Sequence, residues 1–298
     1  IKIFIGNSGT TARLLSGLLA TYPGKFYLYG DESMNKRDMS RVIYPLEKIG
    51  AFFFPKGKKT LPITIHGTKM PLAQTHIERL GSAQVKSSIM LAALNTPGTT
   101  IIEEKKISRD HTEIFLNKIL ANIKVKKLNK NNLININGLK NLYSFNYAVS
   151  SDPSSAAFLI VLTLLTPGSE LKIKNVLCNK NRIGFIKILK EKMNANIKIK
   201  NLRKDSASGE LVGNIVTKSS ALKAVKCPRE LVPSLIDELP ILFVAAALTK
   251  GISKFEGIHE ATKKESNRVV EMQKVLSQAG IKCKITKDSM VIFGENKI

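Results

Sequence analysis

Residues 6–13 read Gly-Asn-Ser-Gly-Thr-Thr-Ala-Arg. Gly6 and Gly9 allow backbone N–H groups to approach an anion closely, and Asn7 adds an amide donor. Residues 30–41, GDESMNKRDMSR, set Lys36, Arg37 and Arg41 beside Asp31, Glu32 and Asp38. That stretch is either a solvated charged loop or a place where Arg37 forks onto a phosphate or carboxylate. Ser82 and Gln84 stand at the start of an apolar helix, where free N–H groups and the positive end of the helix dipole form a ready anion site. Arg109 and Asp110 follow on the next strand-to-helix turn. An N-cap followed by a surface salt bridge is the plainer reading of the same residues.

Acids and bases come later in the chain. Asp237 and Glu238 interrupt the apolar run LVPSLIDELPIL. A carboxyl there is costly to bury unless paired or used, and burial would raise its pKa toward an acid–base range. Alternatively, both face solvent at a helix break before Pro240. Lys263, Lys264, Glu265 and Arg268 crowd a helix start, with Lys264 and Arg268 on one face. His66, His76, His111 and His259 lack metal-ligand spacing, and no serine elbow, Walker loop or dinucleotide fingerprint occurs. The census is of helix-end anion sites, Arg/Lys forks and isolated acids, with no metal and no organic cofactor expected. It suits transfer chemistry on small, doubly anionic molecules.

A repeat positions these residues. Gly24, Gly98, Gly168 and Gly251, each after Pro or Lys, recur at intervals of roughly 70 to 80 residues. Each follows a small-residue or apolar helix (10–20, 82–94, 153–165 and 239–249) and precedes a short strand. A polar turn and an amphipathic helix come next, such as 40–51 with Val42, Ile43, Leu46 and Ile49 on one face. Pro45 is a local defect there. One unit is β-α-β-α-β-β or close to it, so the fold class is α/β. Four units are visible, two on each side of a boundary near 148–151. The domains are therefore expected at 1–149 and 150–298. Residues 200–214 read as a surface hairpin or insertion.

Composition bounds the partners. The chain has 298 residues, 43% of them hydrophobic, and a net charge of +24. Of 47 basic residues nine are arginine, and the lysines spread over the whole chain with no aromatic interleaving in the dense stretch 118–130. That argues against a nucleic-acid interface; a general positive field steers small anions instead. No apolar run reaches the roughly 20 residues of a membrane span. Cys178, Cys227 and Cys283 are dispersed and odd in number, which suggests a reducing compartment. A cytoplasmic monomer is expected, with no nucleic acid and no membrane as partner.

GNSGTTAR, GDESMNKRDMSRV, GSAQVKSS, SRDHTE, SDPSSAAF, LIDELPIL and KESNR resemble, in order and over essentially the whole chain, the 5-enolpyruvylshikimate-3-phosphate synthase family. Ser-Ala-Gln at 82–84 is similar to its class II branch. The resemblance implies the two-domain enolpyruvyl transferase fold, an inside-out α/β prism of six βαβαββ units of which four are present, closing on the substrates. It implies transfer of the enolpyruvyl group of phosphoenolpyruvate to the 5-hydroxyl of shikimate-3-phosphate with loss of phosphate, without metal or cofactor, in aromatic amino-acid biosynthesis. By motif match Asp237 is the acid/base at the shikimate hydroxyl. Glu265 and Lys264 serve the proton transfers at the phosphoenolpyruvate methylene and phosphate. Ser82, Ala83, Gln84 and Arg109, with Asp237 and Lys264, contact shikimate-3-phosphate. Asn7, Gly9, Arg37, Gln84 and Arg268 surround phosphoenolpyruvate. Glyphosate, the family's inhibitor, occupies the phosphoenolpyruvate site, and Gly9, where tolerant members can carry Ala, implies a sensitive enzyme.

The sequence departs from the family at several places. An N-terminal Lys-Ser-x-x-x-Arg helix start, a C-terminal Asp-His-Arg segment and a late Lys do not occur in it, and residue 1 is Ile. A fragment lacking one unit from each domain is expected, binding substrates weakly and turning over little. Asn267 stands for the usual Asp, and Asn181-Arg182-Ile183 departs from a Pro-Thr-Arg-Thr run, so no role is carried over there. Two alternatives stay open: the enolpyruvyl transferase that acts on UDP-N-acetylglucosamine, which typically relies on a Cys-bearing loop, and a basic nucleic-acid-binding repeat protein.

Overall fold

The computed structural model describes residues 1–129, 131–259 and 267–295. The chain divides into two compact units, Ile1–Asn146 and Tyr147–Ile298, each with its own apolar core.

The first unit holds two copies of one motif. In the first copy, β1 (Lys2–Phe4), α1 (Gly9–Ala20), β2 (Gly24–Tyr29), α2 (Glu32–Asn35), α3 (Ser40–Ile49), β3 (Phe52–Phe54) and β4 (Ile63–Gly67) give a sheet of order β1-β2-β4-β3. In the second, β5 (Thr75–Glu78), α4 (Ala83–Leu94), β6 (Thr99–Glu104), α5 (His111–Lys118), β7 (Asn122–Leu128) and β8 (Asn131–Asn137) give β5-β6-β8-β7. The first two strands of each sheet are parallel, as a helical crossover requires, and the remaining pairs are antiparallel.

The second unit repeats the plan. α6 (Pro153–Leu165), β9 (Glu170–Leu177), α7 (Gly184–Glu191), β10 (Asn196–Lys204) and β11 (Leu211–Lys218) form a three-stranded sheet; Ser151 bridges Val176 in parallel where the other copies have a first strand. β12 (Lys226–Cys227), α8 (Leu239–Ala247), β13 (Gly251–Glu256), α9 (Arg268–Gln278), β14 (Cys283–Ile285) and β15 (Ser289–Gly294) restore the order β12-β13-β15-β14. A 3-10 turn, Arg229–Ser234, precedes α8.

The two helix types follow from their sequences. α3 buries Val42, Ile43, Leu46 and Ile49, and α7 buries Phe185, Ile186, Ile188 and Leu189, each from one face. α4 and α8 bury residues on most sides, whereas α6 buries Ala156, Ala157, Ile160, Val161 and Leu164 and leaves Phe158, Leu159 and Leu162 exposed. Pro45 sits within α3 without ending it, and its carbonyl accepts the Gln74 amide at 2.9 Å. The helices starting at 111 and 184 stop sooner than their apolar spacing suggests, because Leu120 and Asn194 take the left-handed conformation that releases the chain into β7 and β10. Residues 200–214 are largely strand: β10 and β11 run into them, and only 205–210 form the turn, where the Asp205 carboxylate accepts the Ser208 amide at 2.8 Å.

A glycine recurs at the end of the last strand in three copies. A Cβ at Gly67 would stand 1.9 Å from the Tyr22 carbonyl oxygen, one at Gly138 2.0 Å from that of Thr96, and one at Gly294 2.0 Å from that of Thr249. The last strand thus passes directly under the C-terminal carbonyls of the first helix, which leaves no room for a side chain. The opposite ends of these helices, their N-termini, carry the polar motifs.

Candidate active site

α1 is capped by Ser8, whose hydroxyl accepts the Thr11 amide at 3.1 Å. Two guanidiniums flank the first helical residue, Gly9. A Cβ there would lie 3.0 Å from Arg13 Nη1 and 3.2 Å from Arg37 Nη1. Arg37 donates to Asn7 Oδ1, while Asn7 Nδ2 donates to Asp31 at 2.6 Å. Asp31 in turn caps α2, and the Met34 amide, with the Asn7 amide and the Arg37 charge, holds its carboxyl below the usual carboxylate range. The polar stretch 30–41 is therefore not simply a solvated loop. Its one-turn helix aims Arg37 back at the α1 N-terminus.

α4 brings its own N-terminus to the same place. Gln84 accepts from Arg13 Nη1 at 2.6 Å and donates to Thr10 Oγ1 at 2.8 Å. The close crossing of α1 and α4 permits this, because Gly17 leaves space for the Ser88 backbone. Ser82 is the N-cap of α4, accepting the Val85 amide at 3.4 Å, and Ala83 is its first residue. Asn7, Gly9, Arg37, Ser82, Ala83 and Gln84 thus surround two adjacent helix N-termini. The capping reading of Ser82 holds, and it does not compete with an anion site. A small anion placed at Gly9 would meet two guanidiniums and unpaired helix N–H groups together.

Arg109, half-buried, lies between β6 and α5 in a loop that abuts the one leading to Ser82. At Gly81, with φ +70°, the Lys106 carbonyl oxygen is 3.3 Å from the position of a Cβ.

The second unit holds a separate polar cluster. Asp152 caps α6 through the Ser155 amide at 2.9 Å, and Pro153 takes the first turn, where its missing N–H costs nothing. Arg182 lies at the centre. It donates to Glu238 Oε1 at 2.9 Å, to Ser154 Oγ at 2.7 Å and to Asp152 Oδ1 at 3.2 Å, and its Nη1 is 3.8 Å from Asp237. Arg268, the first residue of α9, donates to Asp237 Oδ1 at 3.2 Å. The two acids of 231–242 therefore differ: Glu238 is 1% exposed and locked by Arg182 and Ser154, whereas Asp237 keeps 21% of its side-chain surface. Neither simply faces solvent at a helix break, and Asp237 stands between two guanidiniums rather than alone among apolar groups. Asp237 is the acid left accessible to a ligand. Lys264 and Glu265 lie outside the described residues.

Sequence reasoning left Arg13 and Arg182 without roles. Both are arginines in a lysine-dominated chain, where a planar fork is chosen for geometry and not for charge alone. That scarcity was the available signal.

Comparison with known proteins gives these clusters a context. The family model for EPSP synthase (3-phosphoshikimate 1-carboxyvinyltransferase) matches residues 1–297. A 3-phosphoshikimate 1-carboxyvinyltransferase of Paramagnetospirillum magneticum is 41% identical over 295 residues, which is 99% of this chain and 66% of that protein. One of Carboxydothermus hydrogenoformans is 43% identical over 293 residues, 98% of this chain and 67% of its own length. The solved structure of EPSP synthase from Acinetobacter baumannii superposes with a TM-score of 0.84 at 38% identity, covering 99% of this chain and 65% of its own. The chain spans about two thirds of the length of the curated relatives it matches.

Proposed function

The chain belongs to the EPSP synthase family, and on that premise we propose that it serves the transfer of the enolpyruvyl group from phosphoenolpyruvate to the 5-hydroxyl of shikimate-3-phosphate, with release of phosphate. The observation that carries this reading is the pair of helix N-termini joined by Gln84. There Arg13 and Arg37 flank Gly9, and the Ser82 cap stands on the neighbouring helix. Phosphoenolpyruvate presents a phosphate and a carboxylate on a three-carbon body. Arg37, Gln84 and Asn7 bind it beside Gly9, where any side chain would occupy its place, and Arg268 is a further ligand. Ser82, Ala83, Gln84 and Arg109 bind shikimate-3-phosphate, whose phosphate suits a capped helix start and a guanidinium.

In the chemistry, Asp237 accepts the proton of the 5-hydroxyl as its oxygen bonds to C2 of phosphoenolpyruvate, and the methylene carbon takes up a proton. The resulting tetrahedral adduct loses a proton from the new methyl group as the C–O bond to phosphate breaks. Glu265, with Lys264, serves the proton transfers at that carbon and at the departing phosphate. The Arg268 and Arg182 contacts hold the Asp237 carboxylate in one orientation.

The related transferase acting on UDP-N-acetylglucosamine fits these residues less well. Cys178 and Cys227 are buried, and burial pushes the Cys227 thiol up to about 12, which suits packing and not a reactive loop. A thermal-shift titration tests the reading. Shikimate-3-phosphate should raise the unfolding temperature of the chain saturably, and UDP-N-acetylglucosamine should leave it unchanged. The reverse pattern would sink the assignment.

A further inference from the structure

Two buried glutamates that take no part in the scheme above end neighbouring strands beside the shikimate-3-phosphate residues. Glu78 is the last residue of β5 and Glu104 the last of β6; the strands are parallel, and these two residues are register partners. They are 5% and 0% exposed. Each carboxylate turns toward the loop that leaves the sheet. Glu78 Oε1 accepts the Leu80 amide at 2.8 Å and the Ser82 amide at 3.4 Å. Glu104 Oε1 accepts the Ser108 amide at 2.7 Å and the Ser108 hydroxyl at 2.5 Å, and Oε2 accepts Asn132 Nδ2 at 2.9 Å. One loop delivers Ser82 and Gln84; the other delivers Arg109.

The loops are also tied to each other. The Lys105 amide donates to the Glu78 carbonyl at 2.8 Å. Lys86, fully buried one turn inside α4, donates to Glu104 at 3.0 Å and approaches Glu113 of α5 within 2.6 Å. Burying two acids against one lysine costs more than apolar packing would, so the arrangement is not explained by stability alone. What it does supply is geometry. Carboxylates accept several N–H groups at once and at short range, which fixes a loop backbone more tightly than water-exposed turns can.

We propose that Glu78 and Glu104 are positioning residues that hold the two loops in register, so that the Ser82 helix start and Arg109 meet one shikimate-3-phosphate molecule. The inference rests on the reading that these loops bind that substrate. It requires that deleting either acceptor weaken binding even where the protein stays folded, since each hydrogen bond to a charged ligand group lost by a displaced loop is worth roughly tenfold or more in affinity. Glu113 provides the matched comparison, because it shares Lys86 and is buried but is given no loop amide to hold.

The test is calorimetric affinity for shikimate-3-phosphate on the chain, with folding monitored by thermal melts. E78A and E104A should each weaken binding roughly tenfold or more. E78Q, which keeps a carbonyl oxygen facing the loop amides, should recover most of it, and E113A should bind like the native chain. E78A leaves the Lys86 cluster intact and decides the matter if E104A does not fold. Native affinity in both Ala variants overturns the inference and leaves the assigned function standing. So does an equal loss in E113A, which would make the effect a property of the buried cluster. Absence of binding by the native chain defeats the functional reading itself, and the inference with it.

Discussion

Gly9 is the residue at which helix geometry and ligand size meet. A methyl group there would press against the ends of Arg13 and Arg37. Glyphosate is longer than phosphoenolpyruvate, so Gly9→Ala should weaken glyphosate binding about tenfold or more and phosphoenolpyruvate binding less, since one methylene in a pocket is worth that much. Competition of the two ligands for the shikimate-3-phosphate-loaded chain measures it; equal losses would contradict the geometry. Arg182 makes a different prediction. Removing it strands a carboxylate that is 1% exposed, so Arg182→Met should cost about 3 kcal/mol in urea unfolding. A loss under about 0.5 kcal/mol would place it among surface ion pairs. Gln84 was legible as an amide at a helix start, and Arg37 as a fork in a charged turn. Arg182 was not, since its partners Asp152, Ser154 and Glu238 are 28 to 56 residues away in sequence and only folding assembles them.

At the scale of elements, the repeat was readable from the Pro-Gly stops and the alternation of apolar and amphipathic helices. Helix ends were less so, because left-handed Leu120 and Asn194 interrupt apolar spacing that would continue the helix. The strand-end glycines Gly67, Gly138 and Gly294 follow His, Asn and Phe and carry no local signature in the sequence. Their need arises where β4, β8 and β15 pass under helix carbonyls. Gly138→Ala should therefore lower stability by about 3 kcal/mol or more, as overpacking against backbone cannot relax. A change under 1 kcal/mol in denaturant unfolding would show that β8 can move away. The α4–α5 contact makes a prediction in pH. Burial drives the Glu113 carboxyl above its ordinary value of 4.5, against the pull of Lys86. An acid so raised contributes its stability below 4.5 and loses it as pH climbs through the folded value, because the unfolded chain ionises first. E113Q cannot ionise, so its urea midpoint should gain on the native protein as pH rises above 4.5. Parallel curves would refute the shift.

Across the whole molecule, charge and composition spoke more to class than to chemistry. The +24 excess suits anionic ligands, but the chemistry depends on the few arginines and acids that the repeats bring to helix starts. Among the described residues no helix is long and apolar enough to cross a membrane. Both compact units carry such a cluster: guanidiniums and helix N-termini in the first, an arginine-held acid pair in the second. The proposed function draws on both, and its central claim is recognition of shikimate-3-phosphate followed by the phosphoenolpyruvate-site ligand. Calorimetric titration of shikimate-3-phosphate into the chain, then of glyphosate into the loaded chain, tests that claim most directly. The account predicts saturable one-to-one binding of the first ligand, weakened by Arg109→Ala, and glyphosate binding only in its presence. A folded chain that takes up neither ligand, or takes up glyphosate equally well without shikimate-3-phosphate, would contradict it.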